Sequence, residues 1–154
     1  MGERIPLTKA VEYLLEECRM VLPGIQALFG FQLIVVFSST FTERLSPGEQ
    51  RIHVAAIVLI VVAIALIMTP AAYHRQRGAR EVTESFVTLS SRLLLMAMAP
   101  LALGICLDSY LVVRVIVGRG VGAVVAAGLL SLFALSWGLL PRARSLGLLL
   151  THRK

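Results

Sequence analysis

The twenty residues Val54-Ala55-Ala56-Ile57-Val58-Leu59-Ile60-Val61-Val62-Ala63-Ile64-Ala65-Leu66-Ile67-Met68-Thr69-Pro70-Ala71-Ala72-Tyr73 contain no Asp, Glu, Lys or Arg. About 20 apolar residues in a helix cross a hydrocarbon core about 30 Å thick, so this stretch reads as a membrane span. Three more stretches are free of charge: Met20–Thr42 (23 residues), Leu93–Leu107 (15 residues) and Gly120–Pro141 (22 residues). The four together take up more than half of the 154 residues. The chain is 57% apolar and 16% charged, against about 45–50% and about 25% in soluble domains. This pattern excludes an ordinary soluble domain, a disordered chain and a disulfide-rich secreted module.

The reading that follows is an all-α, integral membrane four-helix bundle. It forms a single domain over 1–154, with spans at about 20–41, 53–73, 90–113 and 120–140. The run Leu93–Leu107 reaches spanning length only if Asp108 or Arg92 lies inside the helix. Ahead of span one, Leu7, Val11, Leu14 and Cys18 recur at spacings of four, three and four. That spacing puts them on one helical face and predicts a short interfacial helix over Pro6–Arg19. The alternative is the solvated start of span one. Pro23-Gly24 is expected in the first turns of that span, where proline costs least. Ser46-Pro47-Gly48-Glu49 is a helix-start signal, with Ser46 as cap, Pro47 at the first position and Glu49 closing a capping box. Val82, Phe86, Leu89 and Leu93 predict an amphipathic helix leading directly into span three, which Pro100 is expected to kink. Gly118, Gly122 and Ala126 form a small-residue face on span four that permits close helix approach.

The formal net charge is +6. The basic residues sit at the ends of the apolar runs, so they read as topology signals and contacts to anionic headgroups, not as a nucleic-acid surface. Eleven Lys and Arg fall in the N-terminal segment, the middle connection and the tail, and four in the other two loops. The positive-inside rule then places both termini in the cytoplasm. No cleavable signal peptide is expected, because the first 19 residues are polar and amphipathic. Cys18 and Cys106 fall near opposite faces and are not expected to bridge. His53, His74 and His152 show no ligand spacing, so neither a metal nor a cofactor is expected.

Asp108 is the most informative residue, since an acid at a helix centre costs about 3 kcal/mol on insertion scales and usually faces a partner or water. It reads either as a proton- or cation-binding carboxylate or as a structural acid at the outer boundary, hydrogen-bonded or paired with Arg114 or Arg119. Gln26 and Gln32 either line a polar path or bond between helices. His53 either relays protons with Asp108 or sits among headgroups. Glu16, Glu17, Arg19, His74, Arg75 and Arg92 are expected at one membrane level. They form a candidate cytoplasmic-face ion-pair network that fixes helix register or binds an anionic lipid or ligand. Hydrolytic signatures are missing, so no enzyme activity is expected.

The order Leu15-Glu16-Glu17-Cys18-Arg19, Pro23-Gly24-Ile25-Gln26-Ala27-Leu28-Phe29-Gly30-Phe31 and Pro70-Ala71-Ala72-Tyr73-His74-Arg75 resembles an uncharacterised bacterial membrane family, domain of unknown function 6328. The pattern looks similar through Arg92 and Asp108, covering most of 10–118. The resemblance implies a four-span bacterial inner-membrane protein and no established activity.

Two function classes follow. The residues favour a non-catalytic accessory or stress-related membrane protein. The other class is a small ion or proton transporter using Asp108. Four spans enclose little more than their own side chains, so a conduit would need a homo-oligomer.

Overall fold

The computed structural model describes residues 6–77 and 83–140. The elements are α1 (Leu7–Val36), α2 (Ser39–Arg44), α3 (Pro47–Arg77), α4 (Glu84–Ile116) and α5 (Arg119–Phe133), which continues into a π-helical segment, Ala134–Leu139. There is no strand among the described residues. The protein is an all-α four-helix bundle. Helices α3 and α4 form its most extensive contact, with α1 packed mainly on α3 and α5 on α4.

The core follows a seven-residue repeat. Buried residues recur as Val11, Cys18, Ile25 and Gln32 on α1 and as Ser90, Ala97, Gly104 and Leu111 on α4. On α3 they are His53, Ala56, Ile60, Ala63, Ile67 and Pro70, alternately three and four apart. This is the spacing of helices that cross at a shallow angle with side chains interdigitated. Cys18, Ile25, Ile60, Ile67 and Ala97 meet where the three seams converge. Small residues set the approach: a Cβ on Gly104 would stand 2.8 Å from Ile60 Cδ1 and 3.3 Å from the Ala56 carbonyl oxygen.

Outward faces are apolar as well. Four helices are long and apolar enough to cross a membrane, and only 6% to 28% of each span window is buried. Apolar area on that scale exceeds what a water-soluble monomer exposes. The fold is that of a multi-pass membrane protein.

Several local expectations change. The amphipathic segment over Pro6–Arg19 is not a separate interfacial helix: α1 runs unbroken from Leu7 to Val36, so this segment is the beginning of span one. The seam residues Val11 and Cys18 continue straight to Ile25 and Gln32, which leaves no reason for a break. Pro23 therefore lies in the helix interior, where it lacks the N–H that would bond back to Arg19. Span one ends at Val36 and not near Phe41. Phe37 caps it, Ser38 turns extended, and Ser39–Arg44 forms the short helix α2. This turn buries Phe41 and Leu45 against Leu111.

The helix-start signal forms with a twist. Pro47 opens α3, and the Glu49 carboxylate accepts from both the Ser46 backbone N–H (2.9 Å) and the Ser46 hydroxyl (2.7 Å). The serine hydroxyl thus donates to the carboxylate, whereas in a capping box it would accept from the backbone. Thr83 caps α4, accepting from the Phe86 N–H at 3.3 Å. Both Arg92 and Asp108 lie inside α4, so the short apolar run reaches membrane length by enclosing them.

Candidate functional site

The end of α1, the start of α3 and the end of α4 gather at one end of the bundle. The α1 and α3 seams deliver Gln32 and His53 there, and α4 adds the half-buried Asp108, between Gly104 and Leu111 of its seam. Gln32 is 4% and His53 5% exposed, and the Asp108 side chain is 16% exposed. They close a ring. Gln32 Nε2 donates to Asp108 Oδ2. His53 Nδ1 stands 3.1 Å from Asp108 Oδ1, and His53 Nε2 stands 3.0 Å from the Gln32 backbone carbonyl. The edge of Phe41 closes over the imidazole, with ring centroids 5.3 Å apart at 62°.

Donor and acceptor chemistry fixes the proton inventory. A carbonyl oxygen only accepts, so His53 Nε2 carries a hydrogen. Nδ1 faces a carboxylate oxygen, and a hydrogen bond between them needs one proton. That proton sits either on the imidazole, opposite an ionised Asp108, or on Asp108, opposite a neutral imidazole. Both arrangements have the same proton count and no net charge. The pair therefore holds one shared proton, and its loss would leave a carboxylate facing a nitrogen lone pair.

Beside the ring is a half-open cavity of about 520 Å³. Gln32, His53 and Asp108 line it, together with apolar side chains including Leu28, Val35, Leu111 and Val112, and Arg44 from α2. One amide atom, Gln32 Oε1, is buried and has no hydrogen-bond partner among the described residues. Among the described residues, no three His, Cys, Asp or Glu side chains gather where a metal ion could be held.

The structure thus brings three of the four intramembrane candidates together. Gln26, six residues before Gln32, is exposed on another face. Asp108 is hydrogen-bonded to Gln32 and His53, and among the described residues no arginine pairs with it. Arg114 Nε instead pairs with Glu49 Oε1 at 2.7 Å, and Arg119 Nη2 approaches the same oxygen at 3.8 Å. Arg114 Nη1 also donates to the Arg44 carbonyl at 2.7 Å, which ties α4 to the loop that carries Phe41. Sequence reasoning misses this clamp. In the sequence Glu49 reads only as part of the helix start, and both arginines read as partners for Asp108.

At the opposite end, Glu16, Glu17, Arg19, Arg75 and Arg92 are exposed and His74 is half-buried. Among the described residues no ion pair joins these six. His74 lies against Phe86, with ring centroids 5.8 Å apart. The small-residue face divides into separate roles. Gly118 has φ +124° and makes the turn into α5, a conformation that favours glycine. Gly122 is buried at the α4 contact, while Ala126 is half-buried.

No curated protein and no solved structure matches the chain. A family model does, over residues 4–141: the family of unknown function DUF6328. That span is most of the chain, and the chain belongs to this family.

Proposed function

We propose that this protein is a proton-coupled transporter of the bacterial cytoplasmic membrane, with the His53–Asp108 pair as the group that takes up and releases the proton. The observation that carries this reading is the closed ring of Gln32, His53 and Asp108 at the edge of a cavity. An intramembrane acid paired with a histidine is a recurrent form of proton relay. With both termini cytoplasmic, the ring lies in the outer half of the bilayer and anionic headgroups meet the basic loops at the inner face. The apolar outward faces supply surface for a homo-oligomer, which a continuous conduit would require. No covalent chemistry is assigned to any residue.

A second reading has its own support. Gln32 and His53 lie on the core seams and Asp108 bonds to both from α4, the position from which a buried polar residue fixes helix register. On that reading the protein is a non-catalytic accessory or stress-related membrane component and the ring is a lock. Proton flux into proteoliposomes separates the two. Transport predicts flux through the wild type that Asp108→Asn abolishes. Equal flux in both proteins, at equal reconstitution, leaves only the lock.

A further inference from the structure

We propose that the cavity beside the ring binds a lipophilic primary ammonium ion, which displaces the shared proton of His53 and Asp108. This names a substrate class for the transport reading above and rests on it.

Size and lining are those of a small-molecule site. Such sites run from about 300 to 1,000 Å³, with mostly apolar walls and a few convergent polar groups, and this one measures about 520 Å³. Leu28, Val35, Leu111 and Val112 are among its mostly apolar lining, with Ser38, Thr40 and Arg44 as polar residues besides the three of the ring, so the site suits an apolar body whose polar head meets the ring.

The chemistry of the polar groups selects that head. Once the shared proton leaves, Asp108 Oδ1 and His53 Nδ1 are both acceptors. Gln32 Oε1 is a third, buried and without a partner among the described residues. The bond from Nε2 to Asp108 Oδ2 sets the amide's orientation, since the reverse would place Oε1 against a carboxylate oxygen. The three acceptors belong to side chains that line one cavity, and a primary ammonium carries three N–H donors. Charge balances: the neutral pair and an incoming cation become an ionised Asp108 facing the ammonium, a neutral His53, and one proton released. A hydroxyl head would displace no proton, and a quaternary ammonium has no N–H to donate.

The titratable and charged groups lining the cavity are His53 on α3, Asp108 on α4 and Arg44 on α2; α1 contributes the neutral Gln32. Arg44 is exposed and opposes a cation, so its removal should strengthen binding, whereas an anionic ligand would lose affinity.

The test is proton release in lightly buffered nanodiscs, read with a pH-indicator dye while hexylammonium is added and corrected against empty discs. The expected result is saturable release approaching one proton per protein. Release should be absent in Asp108→Asn and at least about tenfold weaker with hexyltrimethylammonium, and Arg44→Ala should tighten the response. Release that is equal in Asp108→Asn, or equal for the quaternary ion, overturns the proposal. So does its absence from the wild type. Flux measured without any amine keeps the two readings apart. If flux depends on Asp108 but hexylammonium releases nothing, the ligand class is wrong and proton transport stands. If release occurs without flux, the site stands and transport falls.

Discussion

His53 Nδ1 stands 3.1 Å from Asp108 Oδ1, with the remaining nitrogen of the ring committed to the Gln32 carbonyl. Because that commitment fixes the tautomer, two substitutions at Asp108 should behave oppositely. In Asp108→Asn the amide oxygen accepts from Gln32 and the amide N–H donates to a neutral His53. Every bond of the ring is kept and the exchangeable proton is gone. Asp108→Ala leaves His53 and Gln32 buried without that partner, and an unsatisfied buried polar group costs about 1–3 kcal/mol. Unfolding in mixed micelles should therefore find Asn within about 0.5 kcal/mol of wild type, as expected for a swap that breaks no packing or pairing, and Ala clearly destabilised. A large loss in Asn would mean that the pair needs its charge.

Much of this arrangement is legible in the sequence. The four apolar runs mark the helices, and Asp108 and His53 stand out as polar residues within or beside them. Counting sevens separates Gln32 from Gln26: Val11, Cys18, Ile25 and Gln32 share one seam, and Gln26 does not. The Glu49–Arg114 pair is hidden, because it joins residues 65 positions apart whose contact depends on how α3 and α4 register. The break after Val36 is hidden too. Phe37 to Phe41 carries no charge and so reads as the continuation of a span, and the packing of Phe41 over His53 and Leu111 is what favours the turn.

The Glu49 carboxylate holds Ser46 at the start of α3 and Arg114 at the end of α4. Glu49→Ala removes both contacts at once. Hydrogen exchange should quicken in peptides covering the first turn of α3 and the loop held through the Arg44 carbonyl, while the centre of α3 stays protected. Unchanged exchange in that loop would show that Arg114 holds it without Glu49.

Orientation has a direct test. Cys18 and Cys106 are buried, at 4% and 6% exposure, so a new surface thiol should dominate labelling. Glu43 is exposed on α2, in the loop that the positive-inside rule assigns to the outer face. Glu43→Cys in intact cells should react with a membrane-impermeant maleimide added outside. Reaction only after the membrane is opened would invert the topology.

Close packing of α3 on α4 rests on Gly104. An added Cβ would stand 2.8 Å from Ile60 Cδ1, the flexible end of a side chain. Overpacking of this kind costs about 1–3 kcal/mol. Ile60→Val removes the Cδ1 atom, so the double variant Gly104→Ala with Ile60→Val should recover part of the loss. A coupling of about 0.5 kcal/mol or more in a double-mutant cycle is the expected result. Strict additivity would place the obstruction at the Ala56 carbonyl instead.

Gly122 meets a harder surface. A Cβ there would lie 3.0 Å from the Tyr110 carbonyl oxygen and 3.1 Å from the Arg114 nitrogen. Both are backbone atoms of α4 and neither can turn aside, so Gly122→Ala must push α5 away by a few tenths of an ångström. A Cβ on Gly128, in the same helix, would meet nothing within 4 Å. Gly128→Ala should be neutral or stabilising, since alanine is favoured over glycine in a helix by about 1 kcal/mol. Gly122→Ala should lose stability despite that same helical gain. Unfolding of the two variants side by side in mixed micelles reads the difference directly. If they match, α5 is not held by close backbone approach, and the turn at Gly118 alone keeps it against α4.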